Sequence, residues 1–209
     1  MDKKITALKA QKNNPDRVNV FLDGEFAFGI SRFVGVGLIV GQIITPEQID
    51  KLSNLDLREK AYQSALRYIG YKPRTQYEVT KKLESGGYSE ETVNFVLDEL
   101  NQKNYLDDAD YAVQWVETRV SSHPRSQRLI RHELKRRGIP ETLIEEALEK
   151  MPDDREMART LATGFLEKNK QLDNEKFMNR MKGVLARKGF AFDVINEVID
   201  ELMMMRKNS

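Results

Sequence analysis

The sequence contains no cysteine, which removes disulfides, thiolate metal sites and cysteine nucleophiles together. It has two histidines, His123 and His132. Neither has a cysteine or a spaced set of carboxylates around it, so a zinc site has no ligand set and both read as surface residues. No apolar run reaches the roughly 20 residues of a membrane helix; the most apolar stretch, 33–44, is broken by Gly35, Gly37, Gly41 and Gln42. Excess charge is also missing. Lys and Arg number 34 against 33 Asp and Glu, a net charge of +1, which argues against a uniformly basic coat for nucleic acid and makes any basic site local. The first residues lead into a mixed polar segment without the apolar stretch and small-residue cleavage site of a secretory signal, so a cytoplasmic protein without membrane attachment is expected. No glycine-rich phosphate loop follows a strand, no nucleophile elbow occurs and no carboxylate pair sits in an evident pocket. The expectation is no enzyme, no catalytic residue, no metal and no cofactor.

What is present is helical periodicity behind a short β segment. Apolar residues make up 40% and charged residues 32% of the 209, a balance that suits thin helical layers better than one deep core. Val18, Val20 and Leu22 alternate before Asp23-Gly24, and Phe26, Phe28 and Ile30 alternate after it. This predicts a hairpin with a type I′ turn and each apolar trio on one face. Residues 5–12 could add a third strand. Thr45-Pro46-Glu47 reads as a helix start, with threonine as the cap and proline in the first turn.

From about residue 57 the chain repeats itself with a period of 51 residues. Val79, Leu83, Gly87, Tyr88, Val93 and Val96 recur as Ile130, Leu134, Gly138, Ile139, Ile144 and Ala147, then as Met181, Leu185, Gly189, Phe190, Ile195 and Val198. Each repeat reads as a long first helix, a second helix ending at the glycine and a third beginning just after it. Gly87, Gly138 and Gly189 stand where a helix end needs a left-handed residue. The expected fold is mainly α: an N-terminal β-hairpin element with a short helix (1–56), then three tandem three-helix, helix-turn-helix-like repeats (57–106, 107–155 and 156–209) in an elongated curved array whose neighbours support one another.

Between 119 and 137 the cations are Arg119, Arg125, Arg128, Arg131, Lys135, Arg136 and Arg137, against the single acid Glu133. At about 100° per residue, Arg125, Arg128, Arg131 and Lys135 share one third of the helix circumference, with Arg128 and Arg131 expected to point to solvent. Clustered like charges call for a compensating partner. Pro73-Arg74 and Pro124-Arg125 stand 51 apart and are replaced by Glu175-Lys176 in the third repeat; the prolines read as helix-start residues. Asp107, Asp108 and Asp110 superficially resemble a metal cluster but sit where a helix needs its cap. Trp115, Tyr62, Tyr68 and Tyr111 fall on first helices and read as packing residues.

The segment AYQSALRYIGYKPRTQYEVTKKLESGGYSEETVNFVLDEL with YLDDADYA, continued by HPRSQRLIRHELKRRGIPETLIEEAL and VLARKGFAFDVINEVI, resembles the RecX family of bacterial recombination regulators, as does VNVFLDGEFAFGIS near the start. That resemblance implies a monomer that lies in the groove of the RecA recombinase filament and inhibits or modulates its ATPase, strand-exchange and repressor-cleavage activities, within DNA repair, homologous recombination and the SOS response. It also implies weak, non-specific binding to single- or double-stranded DNA. The family's basic surface maps onto Arg74, Arg125, Arg128, Arg131, Lys135, Arg136 and Arg137. The rival reading is a helix-turn-helix DNA-binding protein, disfavoured because the candidate recognition helices begin Ser89-Glu90-Glu91 and Pro140-Glu141-Thr142.

Overall fold

In a computed structural model of the chain, which describes residues 1–169 and 171–207, four strands precede a series of helices. Residues 170, 208 and 209 of the expected third repeat lie outside the described residues. Strands β1 (Lys3–Gln11), β2 (Asn14–Leu22), β3 (Glu25–Ser31) and β4 (Ile43–Ile44) form one antiparallel sheet in the order β3-β2-β1-β4. The two-residue turn between β2 and β3 has positive φ at both Asp23 (51°) and Gly24 (93°), as a type I′ turn requires. One expectation fails here. Phe26 is 60% exposed because the register slips between Val20 and Phe21: Val20 faces Phe28, Phe21 faces Phe26. The extra residue, Ala27, is a bulge that reverses the side-chain alternation beyond it. Phe26 instead meets the Phe21 ring edge-on at 6.0 Å. Ile5, Val20, Leu22, Ile30 and Ile44 form the core of the sheet.

The expected short helix and the first helix of repeat one are a single element, α1 (Pro46–Tyr71), so the expected boundary at 56/57 falls inside a helix. Thr45 caps it in a reciprocal capping box with Gln48, and Pro46 occupies the first turn. The remaining helices are α2 (Gln76–Ser85) and α3 (Glu90–Gln102), α4 (Asp108–Ser121), α5 (Gln127–Lys135) and α6 (Glu141–Leu148), then α7 (Asp154–Lys168), α8 (Asn174–Arg187) and α9 (Phe192–Lys207). None is long and apolar enough to cross a membrane. Gly87, Gly138 and Gly189 have φ of +80°, +77° and +88°. At each turn the following amide, of Tyr88, Ile139 or Phe190, donates back to the carbonyl of Leu83, Leu134 or Leu185 at 3.2–3.3 Å, satisfying helix-end carbonyls in the same way three times.

The period of 51 holds for the second and third helices but not for the first. Buried Ala61 and Ala65 become Ala112 and Val116, yet the next pair is Ala158 and Ala162, five residues early, because α6 has 8 residues where α3 has 13. The prolines also differ from expectation: Pro73 and Pro124 lie two residues before the caps Thr75 and Ser126, outside the helices.

The chain divides into two compact bodies. The N-terminal body comprises 1–73 and 79–105, and the C-terminal body 74–78 and 106–209. In the N-terminal body, buried Asp56 on α1 accepts the Ser31 amide at 2.7 Å and two bonds from the Arg17 guanidinium, at 3.1 and 2.9 Å, with the Lys60 ammonium at 2.9 Å. In the C-terminal body, repeats two and three share a continuous core from Ala112 to Leu202. There the buried caps Thr75 and Ser126 each precede a glutamine whose amide enters a carboxylate at the start of a first helix: Gln76 to buried Asp108 at 2.9 Å, Gln127 to half-buried Asp154 at 2.7 Å. The position 51 residues after Ser126 is Phe177, fully buried against Phe165 and under the Arg206 guanidinium.

Candidate partner-binding surface

Helix α5 buries Ile130 and Leu134 completely, which turns its remaining faces, with their cations, outward. The structure distributes those cations over two flanks. On one flank, Arg131 and Lys135 converge on Glu141 at the start of α6, Lys135 at 2.8 Å, and Arg131 also stands 3.6 Å from Glu145. Hydrogen bonding from Lys135, opposed by slight burial and reinforced by Arg131, holds the Glu141 carboxyl below its ordinary value. Arg131 is therefore engaged by acids from another helix rather than simply solvated, which corrects the picture of an uncompensated ridge. The acids of α6 lie just beyond the basic stretch in sequence and fold back onto it past Gly138.

On the other flank a polar cleft of about 540 Å³ is walled by Trp115, Arg119, Arg125, Arg136 and Arg137, with Glu78 and Glu133 among them. Glu133 is held by the Trp115 indole N–H at 2.8 Å, by Arg119 at 2.9 Å and by Arg125. Arg137 bonds Glu78 at 2.9 Å, and Arg74 lies 3.6 Å from the same carboxylate oxygen. The guanidinium carbons of Arg119 and Arg137 lie 4.1 and 4.2 Å from the centre of the Trp115 ring, which is itself stacked on Tyr111. Such contacts fix both the rings and the cations. Burial, followed by repulsion from Arg137, lowers the pKa of Arg119; burial and then Arg119 lower that of Arg125. The cations in this cleft are crowded beyond what its two carboxylates neutralise.

Of the residues expected from sequence, Arg125, Arg136 and Arg137 thus share one cleft, and Arg74 joins them through Glu78. Arg131 and Lys135 form a separate cluster with Glu141. Arg128 is exposed and reaches the Gly189 carbonyl at 3.3 Å; Arg136 is exposed and in no ion pair among the described residues. Sequence reasoning missed the Tyr111–Trp115–Arg119 stack, although its i, i+4, i+8 spacing on one helix face is the signal that could have revealed it. His123 and His132 are exposed, and no metal-holding group of acids and histidines occurs among the described residues. Asp107 caps α4, accepting the Asp110 amide at 2.9 Å.

Comparison with known proteins accounts for nearly the whole chain. Residues 3–45 match the regulatory protein RecX N-terminal domain, and 61–100, 107–148 and 153–199 match the first, second and third RecX three-helix domains. Regulatory protein RecX of Clostridium botulinum (strain Alaska E43 / Type E3) is 32% identical over 206 residues, spanning 96% of both chains. The chain belongs to the RecX family. Regulatory protein RecX of Bacillus licheniformis is also 32% identical, over 94% of this chain and 76% of its own. A crystal structure of regulatory protein RecX superposes with a TM-score of 0.70 at 29% identity, covering 95% of this chain and 99% of the other. That of RecX from Lactobacillus salivarius gives 0.59 at 29% identity over 72% of this chain. The RecX three-helix domain 153–199 begins one residue before α7, so the third repeat starts slightly earlier than residue 156.

Proposed function

We propose that this RecX-family chain acts without chemistry of its own, binding the filament of the RecA recombinase in the cytoplasm and slowing its ATP hydrolysis, strand exchange and repressor cleavage by lying in the filament groove. The reading is supported chiefly by the ordered presence of all four RecX segments from 3 to 199 in a chain whose C-terminal body gathers guanidinium groups around one cleft. A surface of this kind suits an extended, negatively charged assembly of protein and nucleic acid, since guanidinium groups bind carboxylate and phosphate alike. Binding to bare DNA is expected to be weak, salt-dependent and indifferent to sequence, because phosphate contacts alone supply it. Groove reading by a helix-turn-helix is disfavoured. α3 begins with Glu90 and Glu91, and Glu141 at the start of α6 already holds Arg131 and Lys135.

The test is DNA-dependent ATP hydrolysis by the recombinase of the same organism. Inhibition is expected below one copy of this chain per recombinase subunit, and no effect at equal stoichiometry would defeat the proposal. Arg128→Glu with Arg136→Glu, both exposed, should weaken inhibition at least about tenfold, the scale of one or two lost charge-assisted contacts, without changing Trp115 fluorescence. Full inhibition by that variant would move the site elsewhere.

A further inference from the structure

The three glycine turns are equivalent in sequence and backbone, but two of them are covered and one is not. Over the second turn lies the start of α2: the Thr75 hydroxyl donates to the Arg137 carbonyl at 2.6 Å, and a Cβ added to Gly138 would collide with the Tyr77 side chain. Over the third lies the start of α5. Ser126 donates its amide to the Lys188 carbonyl at 3.0 Å, Arg128 reaches the Gly189 carbonyl, and a Cβ on Gly189 would stand 2.6 Å from the Ser126 hydroxyl and 2.8 Å from Leu129 Cβ. A hydroxyl-capped helix start therefore covers each of these turns. At the first turn, Gly86 and Gly87 are exposed, and a Cβ on Gly87 would meet nothing within 4 Å. Tyr88 is only half-buried where Ile139 and Phe190 are each 4% exposed.

The N-terminal sheet fills only half of the missing place. Ser31, at the end of β3, gives its amide to Asp56 at 2.7 Å, as Gln76 and Gln127 give theirs to Asp108 and Asp154. A single capped turn follows it, Ser31 accepting the Val34 amide at its hydroxyl at 3.1 Å and the Gly35 amide at its carbonyl at 2.9 Å, but it does not continue into a helix. Beside the turn remains a cleft of about 580 Å³ with Tyr88 in its wall, together with Arg17, Arg32, Lys60 and Arg67. Asp16 and Glu59 line it too, and Arg17 and Lys60 share the one carboxylate of Asp56; Arg32 and Arg67 are exposed and stand in no ion pair among the described residues.

We propose that the Gly86–Gly87 turn and this cleft receive the amino-terminal turn of a helix from a partner protein, capped by a Thr or Ser hydroxyl and carrying an acid in its first turn. The hydroxyl bonds the Gly86 carbonyl, as Thr75 bonds Arg137, and the acid meets Arg32 and Arg67. A second copy of this chain is a poor occupant: Thr75 and Ser126 are already seated, Phe177 has no hydroxyl to offer, and the capped starts of α1 and α3 lack the glutamine that follows the seated caps, Thr45 being followed by Pro46 and Ser89 by Glu90.

A peptide with the sequence of residues 72–85, whose counterpart covers the second turn, serves as the probe, titrated into the full-length protein and followed by amide NMR. Saturable shifts are expected at Gly86, Gly87 and Tyr88. Replacing the peptide's threonine cap by alanine should weaken binding about fivefold, the usual worth of such a cap. Gly87→Asn tolerates the left-handed backbone and meets nothing in the isolated protein, but its side chain would occupy the seat; it should lower affinity at least about tenfold while leaving Trp115 fluorescence and circular dichroism unchanged. Absence of binding, or binding indifferent to Gly87→Asn, overturns the proposal. So do shifts centred on Gly138 or Gly189, which would mean exchange with the resident segments, and so does concentration-dependent self-association abolished by Gly87→Asn, which would name a second copy as occupant.

Discussion

In the N-terminal body the carboxylate of Asp56 meets Arg17, Lys60 and one amide, whereas in the C-terminal body Asp108 and Asp154 each meet a single backbone amide. The geometric role is the same in each, an acceptor on a first helix for the segment that precedes it. The electrostatics are opposite. Burial pushes the Asp56 carboxyl up, but hydrogen bonds from Arg17, Lys60 and Ser31 outweigh it and the group settles below its ordinary value. For Asp108 and Asp154, burial dominates and one amide does not compensate, so both are raised. A sheet can bring an arginine to the joint from a neighbouring strand; a helix start brings mainly its own N–H groups, which already favour negative charge and need no added cation.

The comparison breaks most sharply at the glycine turns. Gly138→Asn should destabilise the C-terminal body by about 3 kcal/mol, because its Cβ overlaps Tyr77, while Gly87→Asn should cost under about 1 kcal/mol. Urea unfolding followed by Trp115, the single tryptophan and a reporter of the C-terminal body, measures the first, and amide exchange in α2 and α3 the second. Equal costs would mean that the covered and open turns are not different. At the acids, Asp56→Asn should destabilise the N-terminal body by about 2 kcal/mol at pH 7, since it leaves Arg17 without its counter-ion; that is below the usual figure for a fully buried pair because Lys60 is half in water. Asp154→Asn keeps an oxygen for the Gln127 amide and should stay within about 1 kcal/mol.

Acid reverses the signs. The contribution of Asp56 is complete above the ordinary aspartate range and disappears as pH falls through its lowered value, so the cost of Asp56→Asn should shrink on acidification. Asp154, with a raised value, favours the folded state fully only below the ordinary aspartate pKa and loses that advantage as pH rises through its own. Asp154→Asn should therefore gain on the parent protein between acid and neutral pH. Parallel pH profiles for the two variants would erase the distinction. The smallest effect is expected for Arg131→Gln, whose partners Glu141 and Glu145 are exposed; its unfolding midpoint should match the parent's, because exposed pairs contribute little.

The sequence made the glycine turns and the second and third helices legible because both depend on local rules: a left-handed residue at a helix end and apolar residues at helical spacing. The first helices were harder to place. Asp108 stands one residue beyond the period from Asp56, and shortening of α6 then brings Asp154 five residues early, so the three acids fall outside the period of 51 and their common role disappears from a register comparison. The candidate surface was readable in composition but not in partnership. Arg125, Arg136 and Arg137 do line one cleft, yet Glu78, Glu141 and Glu145 reach the basic helix from other segments, and no local charge count includes them. Trp115 and Tyr111 do pack against the core of the C-terminal body, as their helical spacing suggests, but that spacing does not reveal that the same indole also meets two guanidinium groups.

Phe177 sits where Thr75 and Ser126 present a hydroxyl, and it turns inward onto Phe165 and Arg206 instead of outward to a successor. A series built by reusing one joint has no intrinsic end; any copy that carries the connector can take another. By trading the connector for a phenyl ring, the third copy loses the hydroxyl that seats the other two. A single side chain thus converts one copy of a repeated joint from a connector into interior packing.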